Sequence, residues 1–296
     1  MSSSSFQVSL SAPVACLLLW LSNVSSADAQ SSPNEPVHVA IEAFADQQSV
    51  APGQTFRVAL VERIQPGWHT YWINPGDAGQ ATKLRWTLPD GYRVAEVQWP
   101  VPQVFRSGPL VTYGYEGEAT LLQNVQAPDR LGSAPAQLSV EAQWLACQDI
   151  CIPEHGVAHI TLRQEPLATL PAPAASRARF AAAAERLPKP SPWRASLAAD
   201  ATSVVLTVHG FEHQLPSLAQ VQFLPLTWGE IDNAAQQRVV RRGADLLLTL
   251  KRGDLRSSRI GTLDGILVIG PGSGQLQGQG YLLHALARDA GAPLAR

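Results

Sequence analysis

Cysteine is scarce in this chain of 296 residues, and the scarcity is informative. There are three, Cys16, Cys147 and Cys151, against 22 glycines and 23 prolines. So few cysteines exclude a small scaffold held together by many disulfides. An excess of charge of one sign is lacking too. The formal net charge is -2, which leaves no broad basic field for phosphate backbones and excludes a nucleic-acid partner. Long apolar runs are also missing. The best, at residues 14–21, falls well short of the roughly 18 residues that a membrane span requires. No His-Glu-x-x-His run, phosphate-cradling glycine loop or Gly-x-Ser-x-Gly elbow occurs. The glycine-rich stretch at 270–274 has no lysine and reads as a turn. No cofactor is expected.

What the N-terminus does have is the layout of an export signal. Residues 1–13 are polar and small, 14–21 form a short apolar core, and Ala27-Asp28-Ala29 places small residues at a cleavage site. The basic residues that usually open such a signal are absent. Removal of residues 1–29 takes Cys16 away and leaves one pair of sulfurs in an exported protein.

The rest of the chain reads as all-β. Alternating apolar and polar residues, punctuated by glycine and proline, mark strands at 37–44, 55–62, 83–88, 92–98, 119–125, 137–145 and 157–163. Half-buried strands of this kind cover their apolar faces by stacking sheets, which predicts a β-sandwich over residues 31–165. Residues 166–192 form a linker: prolines and alanines, then a short helix over 176–187 that Pro188 stops. Alternation returns at 203–208, 221–224, 237–240, 246–250, 265–270 and 281–283. This predicts a second, smaller β-sandwich over 193–296.

The pair Cys147 and Cys151 sits in Trp144-Leu-Ala-Cys-Gln-Asp-Ile-Cys-Ile-Pro153. Residues four apart on one strand are about 13 Å apart, whereas a disulfide needs Cα atoms within about 7 Å. The chain must therefore bend, and Gln148-Asp149 supplies a turn. A working dithiol needs one accessible sulfur and a second near enough to resolve a mixed disulfide. Asp149 and Glu154, if close in space, would raise the thiol pKa and restrain attack. Two other readings stay open. One is a non-enzymatic interaction module of an exported protein with a structural disulfide, which in so short a loop contributes only about 2 to 3 kcal/mol. The other is copper or zinc held by Cys147, Cys151, His155 and His159, which recur every four residues.

Two aromatic runs stand out besides. Gly67-Trp-His-Thr-Tyr-Trp-Ile-Asn-Pro-Gly-Asp-Ala-Gly79 sets four rings before a turn-rich segment, and Phe105 to Tyr115 carries Tyr113 and Tyr115 on one side if extended. Trp68, His69, Tyr71, Trp72, Tyr113, Tyr115, Trp144 and Asp149 are candidates for shielding the sulfurs or docking a partner. Part of this aromatic set is expected to be plain core.

Together these stretches resemble the N-terminal periplasmic region of the DsbD family of thiol:disulfide interchange proteins, most closely its ScsB-like branch. The resemblance rests on residues 67–79, 109–115 and 144–153 in order, with Pro225-Leu-Thr-Trp-Gly-Glu-Ile-Asp232 similar to the second domain of that branch. It implies an immunoglobulin-like domain with Cys147 and Cys151 as the redox pair. It also implies electrons received from a membrane-embedded donor and passed to periplasmic thioredoxin-like acceptors. Full-length relatives continue into membrane spans and usually a thioredoxin-like domain, whereas this sequence ends at Arg296. Two expectations stand side by side: a truncated or split member whose membrane partner is a separate polypeptide, or a stand-alone periplasmic reductase or chaperone-like binder.

Overall fold

The computed structural model describes residues 37–165, 170–212, 217–253, 261–270 and 278–287. The export signal expected over residues 1–29, Cys16 within it, and most of the turn at 270–274 lie outside the described residues.

Eleven strands precede the helix. They are β1 Val39–Ala45, β2 Ser49–Val50, β3 Thr55–Ile64, β4 Thr70–Gly76, β5 Lys83–Thr87 and β6 Arg93–Val94. β7 Gln103–Ser107, β8 Leu110–Tyr115, β9 Glu118–Gln126, β10 Ala136–Cys147 and β11 Cys151–Gln164 complete the set. They form one four-stranded sheet in the order β1-β3-β9-β6, a second in the order β2-β11-β10-β5, and a three-stranded sheet β4-β8-β7. The alternation read from the sequence works as expected in β10, where Leu138, Val140, Ala142 and Trp144 turn inward and the residues between them outward. Val140, Ala142 and Trp144 meet Leu60 of β3 and Leu121 of β9 in one buried cluster. Phe56, Val58, Val125, Leu138, Ile160 and Leu162 build a second cluster between the same two sheets.

The helix α1, Ala174–Glu185, follows Pro173 and is rich in alanine, which loses no side-chain entropy in a helix. Its buried residues, Phe180 and Ala183, sit on Ala59 of β3 and Leu122 of β9. Arg179 pairs through both guanidinium nitrogens with Glu42 of β1 at 3.0 Å. The connection is thus fastened along the first β region.

Eight strands follow: β12 Lys189–Pro190, β13 Arg194–Ala199, β14 Ser203–His209, β15 Val221–Pro225, β16 Arg238–Arg242, β17 Asp245–Lys251, β18 Thr262–Ile269 and β19 Gln279–Ala287. All belong to a single sheet in the order β15-β18-β19-β13-β14-β17-β16, with β12 added to β19. Sequence alternation predicts two stacked sheets here; the structure has one continuous sheet whose own strands supply both sides of a core. Leu206, Leu248, Phe223 and Leu267 lie together in it, although they come from distant positions in the strand order.

The two β regions share a boundary that bears on β4. Trp72 of β4 and Tyr113 of β8 lie in one cluster with Leu224, Ile266 and Val268 of the second sheet. Asn74, buried in β4, donates from its amide to the carbonyls of Pro225 at 2.8 Å and Thr227 at 3.3 Å. Asn233 links Tyr113, whose hydroxyl donates to it, to Asp77, which accepts from its amide. The segment 225–232 singled out in the sequence, together with Asn233 after it, is therefore a backing plate for β4. Asn74→Ala leaves two carbonyls without their donor, and we expect a loss of about 2–3 kcal/mol in urea unfolding.

Candidate functional site

β10 and β11 form a hairpin whose register runs from Ala136↔Leu162 to Cys147↔Cys151. Only Gln148, Asp149 and Ile150 separate the strands, and the Gln148 amide donates to the Ile150 carbonyl at 3.0 Å. The bend that the spacing requires is this turn. Cys147 and Cys151 are joined by a disulfide, with Cα atoms 4.1 Å apart.

The reason lies in the hydrogen-bond pattern of antiparallel pairs. Both backbone polar groups of Cys147 are taken by His69, at 2.9 Å and 3.0 Å, in the direction away from β11. Toward Cys151 it is consequently a non-hydrogen-bonded partner, the kind with the closest Cα approach and side chains nearest each other. The two cysteines differ sharply in exposure: Cys147 is 1% accessible, whereas Cys151 is exposed.

β4 supplies the surroundings of the exposed sulfur. The Tyr71 hydroxyl lies 3.6 Å from Cys151 Sγ. On its other side it is 3.3 Å from His69 Nε2. Burial lowers the His69 pKa below 6.5 and raises that of the Tyr71 phenol above 10.0. The His69 ring stacks on Phe105 of β7 with centroids 4.9 Å apart. Gly79, at φ +100°, turns the loop after β4 onto Tyr71; a Cβ there would collide with the phenol ring. The aromatic run of residues 67–79 thus supplies both Tyr71, whose hydroxyl reaches the sulfur, and His69, whose ring meets that hydroxyl. Phe105, the third ring, opens the second aromatic run singled out in the sequence, although Tyr113 and Tyr115 are the candidates drawn from that run. It precedes a glycine-proline turn and looks like one more apolar strand residue; only the β7–β8 pairing carries it to His69.

The other candidates take different places. Trp68 stacks on His38, with centroids 3.7 Å apart. Trp72 and Tyr113 are fully buried against the second sheet. Tyr115 is buried and donates to the Pro100 carbonyl at 2.8 Å. Trp144 is buried and donates to Glu154 at 3.0 Å. Asp149 is exposed in the hairpin turn. Glu154 does not face the disulfide, because the odd separation from Cys151 places it on the opposite side of β11. There it accepts from the Trp144 indole and from the backbone of His38 and Val39, and it pairs with the His38 ring. The metal reading meets a similar obstacle. Cys151, His155 and His159 share one face of β11, but steps of four residues spread them at intervals of about 13 Å.

A buried carboxyl supports this face of β4 from below. Glu62 of β3 is 1% accessible and accepts from the hydroxyls of Thr70 at 2.7 Å and Thr82 at 2.6 Å. Burial raises its pKa above 4.5, and the two hydroxyls oppose the rise. Thr70 stands between His69 and Tyr71, so Glu62 anchors the segment that faces the sulfurs.

Residues 39–161 match the family model described as "Thiol:disulfide interchange protein DsbD, N-terminal". The fold is that of the N-terminal periplasmic domain of ScsB from Proteus mirabilis, with a TM-score of 0.60. The two are 19% identical, and the alignment covers 87% of this chain and 96% of that one. A family 123 glycoside hydrolase from Clostridium perfringens aligns over 45% of this chain and 28% of its own, at 6% identity and a TM-score of 0.27. Spo0M from Bacillus subtilis aligns over 59% and 80%, at 7% identity and a TM-score of 0.24. Neither of these two carries an argument. No curated protein matches the chain in sequence.

The Glu62 anchor has a measurable signature. In the unfolded chain the carboxyl ionises near 4.5, while the folded state holds it neutral to higher pH. Its contribution is fully present below the unfolded value and is lost as pH rises through the folded one. Glu62→Gln keeps the shape without the charge. The variant should match the parent near pH 4 and become the more stable of the two by a margin that widens between about pH 5 and pH 8. Urea unfolding across that range checks it; a margin that does not change with pH contradicts it.

Proposed function

We propose that the chain carries out periplasmic thiol–disulfide exchange, taking electrons from a membrane-embedded donor and passing them to thioredoxin-like acceptors through Cys147 and Cys151. The match of residues 39–161 to the interchange family supports the activity and the compartment. The single observation that carries the mechanism is the unequal exposure of the two cysteines.

A thiolate of the donor attacks Cys151 Sγ, the exposed sulfur. A donor–Cys151 disulfide forms, the Cys147–Cys151 bond breaks, and Cys147 leaves as a thiolate. The donor's second thiolate then attacks its own sulfur in the mixed disulfide and releases Cys151. Two electrons have moved, and the chain holds a dithiol. In the forward half, Cys151 attacks the acceptor disulfide, and Cys147 resolves the mixed disulfide and releases the reduced acceptor. Ile150, 66% exposed beside Cys151, offers an apolar contact to either partner. The first β region, residues 31–165, is the redox domain, and its facing sheets support reading it as an immunoglobulin-like sandwich. Residues 193–296 form the supporting domain and 166–192 the connection.

A purely structural disulfide is the competing role. Closing a loop of three intervening residues contributes little to a region already held by two large core clusters.

Single-cysteine variants test the assignment. Reduced Cys147→Ser, mixed with an oxidised thioredoxin-like protein, should accumulate a mixed disulfide through Cys151 that peptide mass mapping identifies. Cys151→Ser should accumulate at least about tenfold less, since its remaining sulfur is buried. Equal trapping by both variants, or by neither, contradicts the mechanism.

A further inference from the structure

The surroundings of Cys151 hold a second piece of chemistry that the exchange steps leave unused. The Tyr71 hydroxyl touches both Cys151 Sγ, at 3.6 Å, and His69 Nε2, at 3.3 Å. A hydroxyl can accept one hydrogen bond while donating another. The three groups therefore form an unbroken line from the exposed sulfur to an imidazole. We propose that His69, acting through the Tyr71 hydroxyl, is the proton acceptor and donor for Cys151 in thiol–disulfide exchange. The proposal rests on the exchange function given above and adds to it the group that manages the proton.

The step balances in both directions. In the dithiol, the Cys151 thiol gives its proton to the Tyr71 oxygen as the Tyr71 proton passes to His69 Nε2. The sulfur electron pair attacks the acceptor disulfide, whose distal sulfur leaves as a thiolate. His69 is left as an imidazolium. When Cys151 is itself the leaving group, during reduction by the donor, the imidazolium left by the forward step returns its proton along the same line, so that the sulfur is protonated as it departs and His69 is neutral again. The forward step requires the tautomer with the proton on Nδ1.

Three observations make His69 suited to this task. Burial is the cause of its lowered pKa, so the ring is neutral and able to accept a proton at neutral pH. Among the described residues, burial is the one cause found for the His69 shift, with no charged partner beside it. Tyr71 on its own strand and the two cysteines of the hairpin are the titratable neighbours, and β7 contributes the ring of Phe105. The nearest charged side chains along those elements, Arg106 and Asp149, are both exposed. Finally, the geometry is held from several sides. The backbone of His69 is paired twice with Cys147, its ring is stacked on Phe105, and the Tyr71 ring is pressed by Gly79.

The relay predicts a distinctive pH profile. A free thiol reacts as its thiolate, so its rate climbs about tenfold per pH unit up to its pKa near 8.5. With an imidazole taking the proton, the rate instead levels off above the His69 pKa, which lies below 6.5.

The test is a stopped-flow measurement of the fully reduced native chain against excess dithiodipyridine, between about pH 5 and pH 9. Tyr71→Phe keeps the ring and removes the hydroxyl; His69→Phe keeps a ring on Phe105 and removes the base. We expect the native rate to be flat above about pH 7, and both variants to climb with pH and to be about tenfold or more slower at pH 7. The double variant should be no slower than either single one. Coincident profiles for the native chain and both variants overturn the relay while leaving exchange intact. A Cys147–Cys151 bond that dithiothreitol does not reduce in the native chain overturns the exchange reading and the relay with it.

Discussion

The site depends on one reciprocal pair of backbone hydrogen bonds, between His69 and Cys147. It does three things at once. It decides that Cys147 faces Cys151 as a non-hydrogen-bonded partner, which brings the two sulfurs within bonding distance. It sets β4 alongside the end of the hairpin, so that Tyr71 reaches Cys151. It also covers the backbone of Cys147, leaving that sulfur buried while its partner is open to solvent. Bonding, shielding and unequal reactivity therefore share a common origin in strand pairing, with no need for a separate lid.

For that pairing to persist, β4 must be held in place along its length. Glu62 and Thr82 hold it at Thr70, and Asn74, Asp77 and Trp72 tie it to segment 225–233 and the core of the second sheet. This gives the second β region a physical role although it carries no cysteine. It keeps rigid the strand that positions the reactive sulfur. A strand interrupted by Pro75 and Gly76 would make few ladder bonds on its own, and its register with β8 does shift between Tyr71 and Gly76.

Much of this could be read from residue order. Strands with strict alternation, such as β10 and β14, are visible because one face is core and the other is solvent. The bend between Cys147 and Cys151 follows from distance alone. The aromatic run at 67–79 is conspicuous for its composition. Its division of labour is not, because Tyr71 and Trp72 are adjacent rings sent to opposite sides of one strand, one to the sulfurs and the other to the second sheet. Nothing local distinguishes them; the difference arises from contacts with residues more than 70 positions away. Glu154 is the converse case. Closeness in sequence to Cys151 raised the question of a nearby charge, and strand parity answers it by turning Glu154 toward Trp144 and His38. The second half likewise has the alternation of stacked sheets, yet strand order, which alternation does not encode, makes it one continuous sheet.

The claim on which everything rests is that the Cys147–Cys151 bond is exchanged in service rather than kept as a staple. The direct measurement is its redox equilibrium: protein held in buffers of defined potential, free thiols alkylated, and the mass read. The account predicts a reversible two-electron transition at a potential above about -300 mV, within reach of thioredoxin-like partners. A bond that stays oxidised well below about -300 mV would contradict it and leave the hairpin end a structural clasp.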